Sequence, residues 1–196
     1  MPNFKILVGF LLLLFNIHNY STVRLGVDFK THHIVPEIIE NAPQRRVYVS
    51  YDNNRTVIKT GCSYDRQHLT QEPLILWQCR EGSTYTIIMT CLDDTLANLT
   101  NREKQVHWWL VTNIQNCSVS SGESIFPYQL VNRLPMGAFQ RIVILAFTQM
   151  KPIYNHDFPK VTGTDEDSRE SFTIKEFVNA HTLGNALAGN YFRLGY

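Results

Sequence analysis

YTIIMTCLDDTLANLTNREKQVHWWLVTNI, Tyr85–Ile114, joins two apolar runs through a polar segment that begins with two acids and ends at a histidine. β-branched and aromatic residues dominate both runs, so each predicts a strand. Asp93, Asp94 and His107 fall where the chain leaves those strands. Acids and an imidazole at strand ends are placed to line a small polar pocket rather than to support packing.

Working outward, Val47, Val49 and Tyr51 alternate with Tyr48 and Ser50. Asp52-Asn53-Asn54 then supplies turn chemistry before Thr56 to Lys59, which predicts a hairpin. Leu74 to Cys79 and Tyr85 to Thr90 predict a second hairpin around Glu81-Gly82, with Pro73 just before its first strand. Val106 to Ile114 and Phe139 to Gln149 are apolar on both alternating faces, the pattern of central strands covered on both sides. Helical signal is confined to the ends. Pro36 to Asn41 suggests one short turn, while Thr173 with Glu176 forms a capping box, Ile174, Phe177 and Val178 share a face, and Gly184 supplies the stop. A mostly β domain with peripheral helices follows, and the absence of a linker or repeat predicts a single domain over 23–196.

Residues 1–22 carry one cation, Lys5, then an apolar run from Ile6 to Phe15 and a polar stretch, the pattern of a secretory signal peptide. The run is too short for a stable membrane span, which needs about 20 residues. Removing Lys5 takes the formal charge from +1 to 0, with 17 cations left against 17 acids, a balance that excludes an electrostatic nucleic-acid binder. All four cysteines lie beyond the leader, where an even count predicts disulfides and a secreted, extracellular location. Sequons at Asn54, Asn98 and Asn116 predict glycosylation on exposed loops.

The strand layout also narrows the cysteine pairing. With the chain turning at Glu81-Gly82, Cys79 sits beside the turn and Cys91 beyond the far end of the return strand, about 23 Å away, too far to bridge. The strand from His107 runs back toward Cys117. Cys79 with Cys117, and Cys62 with Cys91, are therefore the expected pairs.

Several blocks together, His33-Ile34-Val35-Pro36, YTIIMT, HWWLVTNI, SSGE with Tyr128, QRIVILAF and LGNALAGNYF, resemble the phosphatidylethanolamine-binding protein family in order and spacing, over roughly His33 to Phe192. The resemblance implies an antiparallel β-sandwich with a small surface cavity for phospholipid head groups or small anions. It also implies lipid-binding, kinase-regulating or protease-inhibiting roles. It departs from the family at the cavity. The acidic motif Asp-Pro-Asp-Ala-Pro is matched by Cys91-Leu92-Asp93-Asp94-Thr95, the His-Arg-Tyr triplet by Gln140-Arg141-Ile142, and the Gly-Pro-Pro wall by Asn132-Arg133-Leu134-Pro135. His107 matches the first pocket histidine and Tyr128 a cavity tyrosine. The implied ligand set is Asp93, His107, Tyr128 and Gln140, with Arg133 as a replacement cation, and the sequence ends at Tyr196 without the terminal helix that borders the cavity in many members.

Replacing a histidine by Gln140 keeps an N–H donor but forfeits positive charge, a loss of about 1 to 2 kcal/mol for an anion. The expectation is a secreted, non-enzymatic binding protein with an altered pocket and no cofactor. An extracellular interaction or protease-inhibitor module that ignores the cavity is the alternative. His32, His33 and His156 lack zinc-type spacing, so no metal is expected. Gly122-Glu123-Ser124 begins like a nucleophile elbow but has Phe126 where the second glycine belongs.

Overall fold

The computed structural model describes residues 24–93, 104–130, 140–154 and 167–195, with the side chains of Asp93, Lys104, Asp167 and Gly195 left aside. The expected leader, the sequon at Asn98, Asp94, His156 and the Asn132–Pro135 wall lie outside the described residues.

Strands are β1 (Arg45–Arg46), β2 (Tyr48–Tyr51), β3 (Thr56–Val57), β4 (Ser63–Asp65), β5 (Leu74–Leu76), β6 (Thr84–Asp93), β7 (Lys104–Ile114), β8 (Glu123–Phe126), β9 (Gln140–Gln149) and β10 (Ala188–Gly195). Helices are α1 (24–31) and α2 (Ile174–Ala180). The large sheet has the order β1-β10-β9-β6-β7-β8, with β4 also on β10, and a small sheet has the order β3-β2-β5. Pairing is antiparallel except where β1 and β4 run parallel to β10.

The long apolar runs are central because the large sheet is covered on both faces. Ile87, Met89 and Cys91 of β6, with Ile142, Ile144 and Ala146 of β9, pack between the sheets against Val47, Val49, Tyr51 and Ile75. Alternate residues, Ile88, Leu92, Val143, Leu145 and Phe147, pack on the opposite face against Leu25 and Phe29 of α1 and Ile174 and Phe177 of α2. Each fully buried side chain of this size contributes about 1.5–3 kcal/mol. The fold is thus mostly β with peripheral helices, as the patterning implies, and a sandwich, as the resemblance implies, with a mixed large sheet.

The capping box closes as the sequence predicts. Glu176 N–H donates to Thr173 Oγ1 at 3.2 Å and Thr173 N–H to Glu176 Oε2 at 2.7 Å. Two readings need correction. Leu74 to Cys79 does not form a hairpin with Tyr85 to Thr90; β5 pairs with β2, Tyr48 facing Leu76 and Ser50 facing Leu74, while β6 runs between β7 and β9. The chain between them crosses from one sheet to the other instead of turning within one. Helix α1 was not anticipated either, because Leu25 and Phe29, spaced i and i+4, directly follow the apolar leader.

Cys79 and Cys117 are joined, with Cα atoms 5.8 Å apart. Cys62 is not joined to Cys91: the first is exposed and the second buried. The register gives the reason. Cys91 faces Ile142 and Ile142 faces Phe192, which precedes the Arg193 aligned with Ser63. Cys62 and Cys91 therefore lie on one transverse row three strand spacings apart, about 14 Å, well beyond the reach of a disulfide.

Candidate functional site

Strand β9 begins and ends with glutamine, and the two ends of the sheet differ accordingly. Gln149 closes one end. Its Oε1 accepts from Thr86 Oγ1 at 2.8 Å and from Asn113 N–H at 2.9 Å, and its Nε2 donates to Asn113 Oδ1 and to the Lys151 carbonyl. Asn113 in turn bonds the backbone of Ile153. Asp93 and Gln140 pair at the other end.

Gln140, 2% exposed, stands opposite Leu194 of β10 and Asp93 of β6. Strand alternation turns its side chain to the inter-sheet face, beside Cys91, Ile142 and Phe192. Its Oε1 is buried and has no hydrogen-bond partner among the described residues. A buried acceptor left unpaired costs on the order of 1–3 kcal/mol, so such an atom calls for an explanation.

His107 turns the other way from Gln140. The ring is 0% exposed and stacks on Phe172 at 4.3 Å and Phe126 at 6.1 Å, on the face covered by α2. Its Nε2–H donates to the Phe172 carbonyl at 2.9 Å, and Nδ1 is buried without a partner. Burial drives its pKa down to about 4, opposed by the Phe172 bond and assisted by the nearby Arg169 guanidinium. At neutral pH this imidazole is uncharged and cannot supply a cation to a phosphate.

The reversal originates in a bulge. Met89 faces Trp109 and Thr90 faces His107, so Trp108 is an extra residue in β7. Trp108 and Trp109 both enter the inter-sheet core, and Trp108 Nε1 is a buried donor with no acceptor.

Tyr128 shares the inter-sheet side, edge-on to Trp109 at 5.8 Å. Its hydroxyl donates to the Leu69 carbonyl at 2.6 Å and lies 3.3 Å from Tyr51 Oη. Burial pushes its pKa up to about 12. Asp93 reaches this end through its backbone, paired with Gln140 and Lys104.

Arg169 was not singled out by sequence reasoning. It is 1% exposed, and its guanidinium donates to the carbonyls of His107, Trp108 and Pro127 at 3.0, 3.1 and 2.9 Å. It thereby fixes the backbone of the bulge. Ser124 pairs with Val111 on edge strand β8, so Glu123-Ser124 is strand rather than elbow. Among the described residues there is no cluster of three metal ligands, and no helix is long and apolar enough to cross a membrane. Two clefts, of about 1120 and 290 Å³, are lined by none of Asp93, His107, Tyr128 and Gln140.

No family model matches the chain. A Drosophila melanogaster protein described as "Putative odorant-binding protein A5" is 28% identical over 192 residues, covering 95% of this chain and 86% of the relative. A "26 kDa secreted antigen" of Toxocara canis is 26% identical over 168 residues, covering 86% of this chain and 63% of its own length. Among solved structures, carboxypeptidase Y inhibitor complexed with its cognate proteinase superposes with a TM-score of 0.69 at 14% identity, over 89% of this chain and 96% of that one. The phosphatidylethanolamine-binding protein of Plasmodium vivax gives 0.64 at 12% identity, over 86% and 95%. The fold is that of the phosphatidylethanolamine-binding proteins, as the sequence resemblance implies, in a divergent form.

Proposed function

We propose that this chain is a secreted, non-enzymatic binding protein whose altered site takes small, uncharged, hydroxyl-bearing apolar molecules in preference to phosphorylated head groups. The observation that carries the reading is Gln140: a buried carboxamide oxygen without a partner among the described residues, set among Cys91, Ile142, Phe192 and Leu194. A ligand O–H satisfies that acceptor; the oxygens of a phosphate dianion do not, and an ethanolamine head group meets it only through its ammonium. His107, neutral and turned to the opposite face, adds no charge to hold an anion. The description of the Drosophila relative as odorant-binding agrees with a small apolar ligand. The Cys79–Cys117 bridge and the secreted Toxocara relative support export to an oxidising compartment.

The test is calorimetric titration of the purified secreted protein with aliphatic alcohols of six to ten carbons and, separately, with phosphoethanolamine. Saturable binding of an alcohol with no phosphoethanolamine heat is expected. Saturable phosphoethanolamine binding without any alcohol binding would overturn the reading. Absence of both leaves the interaction-module alternative in its place.

A further inference from the structure

The outer face of the small sheet is apolar and lies open. Tyr48, Leu74, Leu76 and Val57 are 39, 46, 48 and 38% exposed. The register places them together: Tyr48 faces Leu76, and Ser50 faces both Leu74 and Val57. Both edges of this sheet, β3 and β5, also lack a further strand partner among the described residues. An apolar sheet face with open edges is an association hazard that exported proteins must cover.

Asn54 stands at the rim of this patch, in the turn between β2 and β3. Asp52, Asn53 and Asn54 all have positive φ, of 50, 52 and 69°. The turn brings the Asn54 side chain back over β2, where its Oδ1 accepts from Ser50 Oγ at 2.6 Å and lies 3.4 Å from Tyr48 Oη. The Tyr48 ring therefore leans along the strand toward Asn54, and Ser50 beneath it is only 1% exposed. With Oδ1 held down by two hydroxyls, Nδ2 is the amide atom left to carry a substituent. Asn54-Arg55-Thr56 is a sequon.

We infer that an N-linked glycan on Asn54 folds back over the outer face of the small sheet, its first sugar resting on the Tyr48 ring, and shields the patch formed by Tyr48, Val57, Leu74 and Leu76. Attachment forms a bond between Asn54 Nδ2 and the anomeric carbon of a lipid-linked oligosaccharide. The lipid pyrophosphate departs as leaving group, and the amide gives up one proton. The C–H face of the sugar supplies an apolar contact to the aromatic ring, and its hydroxyls supply the hydrated outer surface that the sheet lacks. This shield is independent of the Gln140 site, which lies on the large sheet.

The experiment expresses the full chain in a eukaryotic secretory host and maps glycopeptides at Asn54. Asn54→Gln and, because Asn54 also bonds Ser50, Thr56→Val as a second glycan-free variant are compared with the glycosylated protein by ANS fluorescence and light-scattering mass. Both variants are expected to show several-fold higher ANS emission and a concentration-dependent rise in mass. Adding Leu74→Ser and Leu76→Ser should reverse both changes. A bare Asn54 in the secreted protein overturns the inference. So do glycan-free variants that stay monomeric with unchanged ANS emission, or a patch that captures a protein partner equally well with the glycan in place.

Discussion

Gln140 and Gln149 are the same residue type at the two ends of the same strand, 2 and 5% exposed, yet they do different things. Gln149 spends its carboxamide on Thr86, Asn113 and Lys151. Gln140 leaves its oxygen unpaired. Burial alone therefore does not distinguish the two side chains; the state of their hydrogen bonds does. The Gln149 end is also stapled, because Cys79 and Cys117 bridge the segments flanking Tyr85 and Ile114, which pair there.

Breaking the staple has the largest expected effect. The two cysteines are 38 residues apart, and releasing a loop of that length, in Cys79→Ser with Cys117→Ser, should cost about 4 kcal/mol in denaturant unfolding. A loss below about 1 kcal/mol would show that the network around Gln149 holds this end unaided.

Gln149→Leu should follow at about 3 kcal/mol, since Thr86, Asn113 and the Lys151 carbonyl all lose partners. Gln140→Leu should instead raise unfolding stability by about 1–3 kcal/mol, because it removes a buried acceptor that has no partner among the described residues. Equal losses in the two variants would erase the distinction.

His107 sharpens the comparison through pH. Its folded pKa is depressed from 6.5 to about 4. Between those values the unfolded chain binds the proton and the folded chain does not, so its contribution to stability is fully present above pH 6.5 and falls as pH drops toward 4. Relative to His107→Phe, the wild type should lose on the order of 3 kcal/mol across that window. The His107 ring titrating near 6.5 by NMR would instead place it at an open rim.

The central strands, the capping box and the Cys79–Cys117 pair were legible in the sequence because each rests on local patterning: apolar runs, a three-residue spacing, the direction in which a strand returns. The partner of β5 was not legible. Leu74 and Leu76 alternate with Ile75 whichever sheet they join, and nothing local names the neighbour. The face that His107 takes was not legible for a sharper reason: one extra residue at Trp108 reverses which side chains face the inter-sheet core, and a single bulge leaves no sequence signature in HWWLV. Arg169 escaped because a cation among Asp and Glu reads as solvated. Its burial depends on three carbonyls 42 to 62 residues away in sequence. Gln140 was singled out only through the family resemblance, and its unpaired oxygen emerges only with the fold.

The most direct test of the claim that Gln140, rather than His107, faces the ligand is a calorimetric titration of one aliphatic alcohol into the wild type, Gln140→Leu and His107→Phe at neutral pH. Losing one hydrogen bond should weaken the Gln140→Leu complex about tenfold and leave His107→Phe at wild-type affinity. A weakened His107→Phe complex beside an unaffected Gln140→Leu complex would contradict the account.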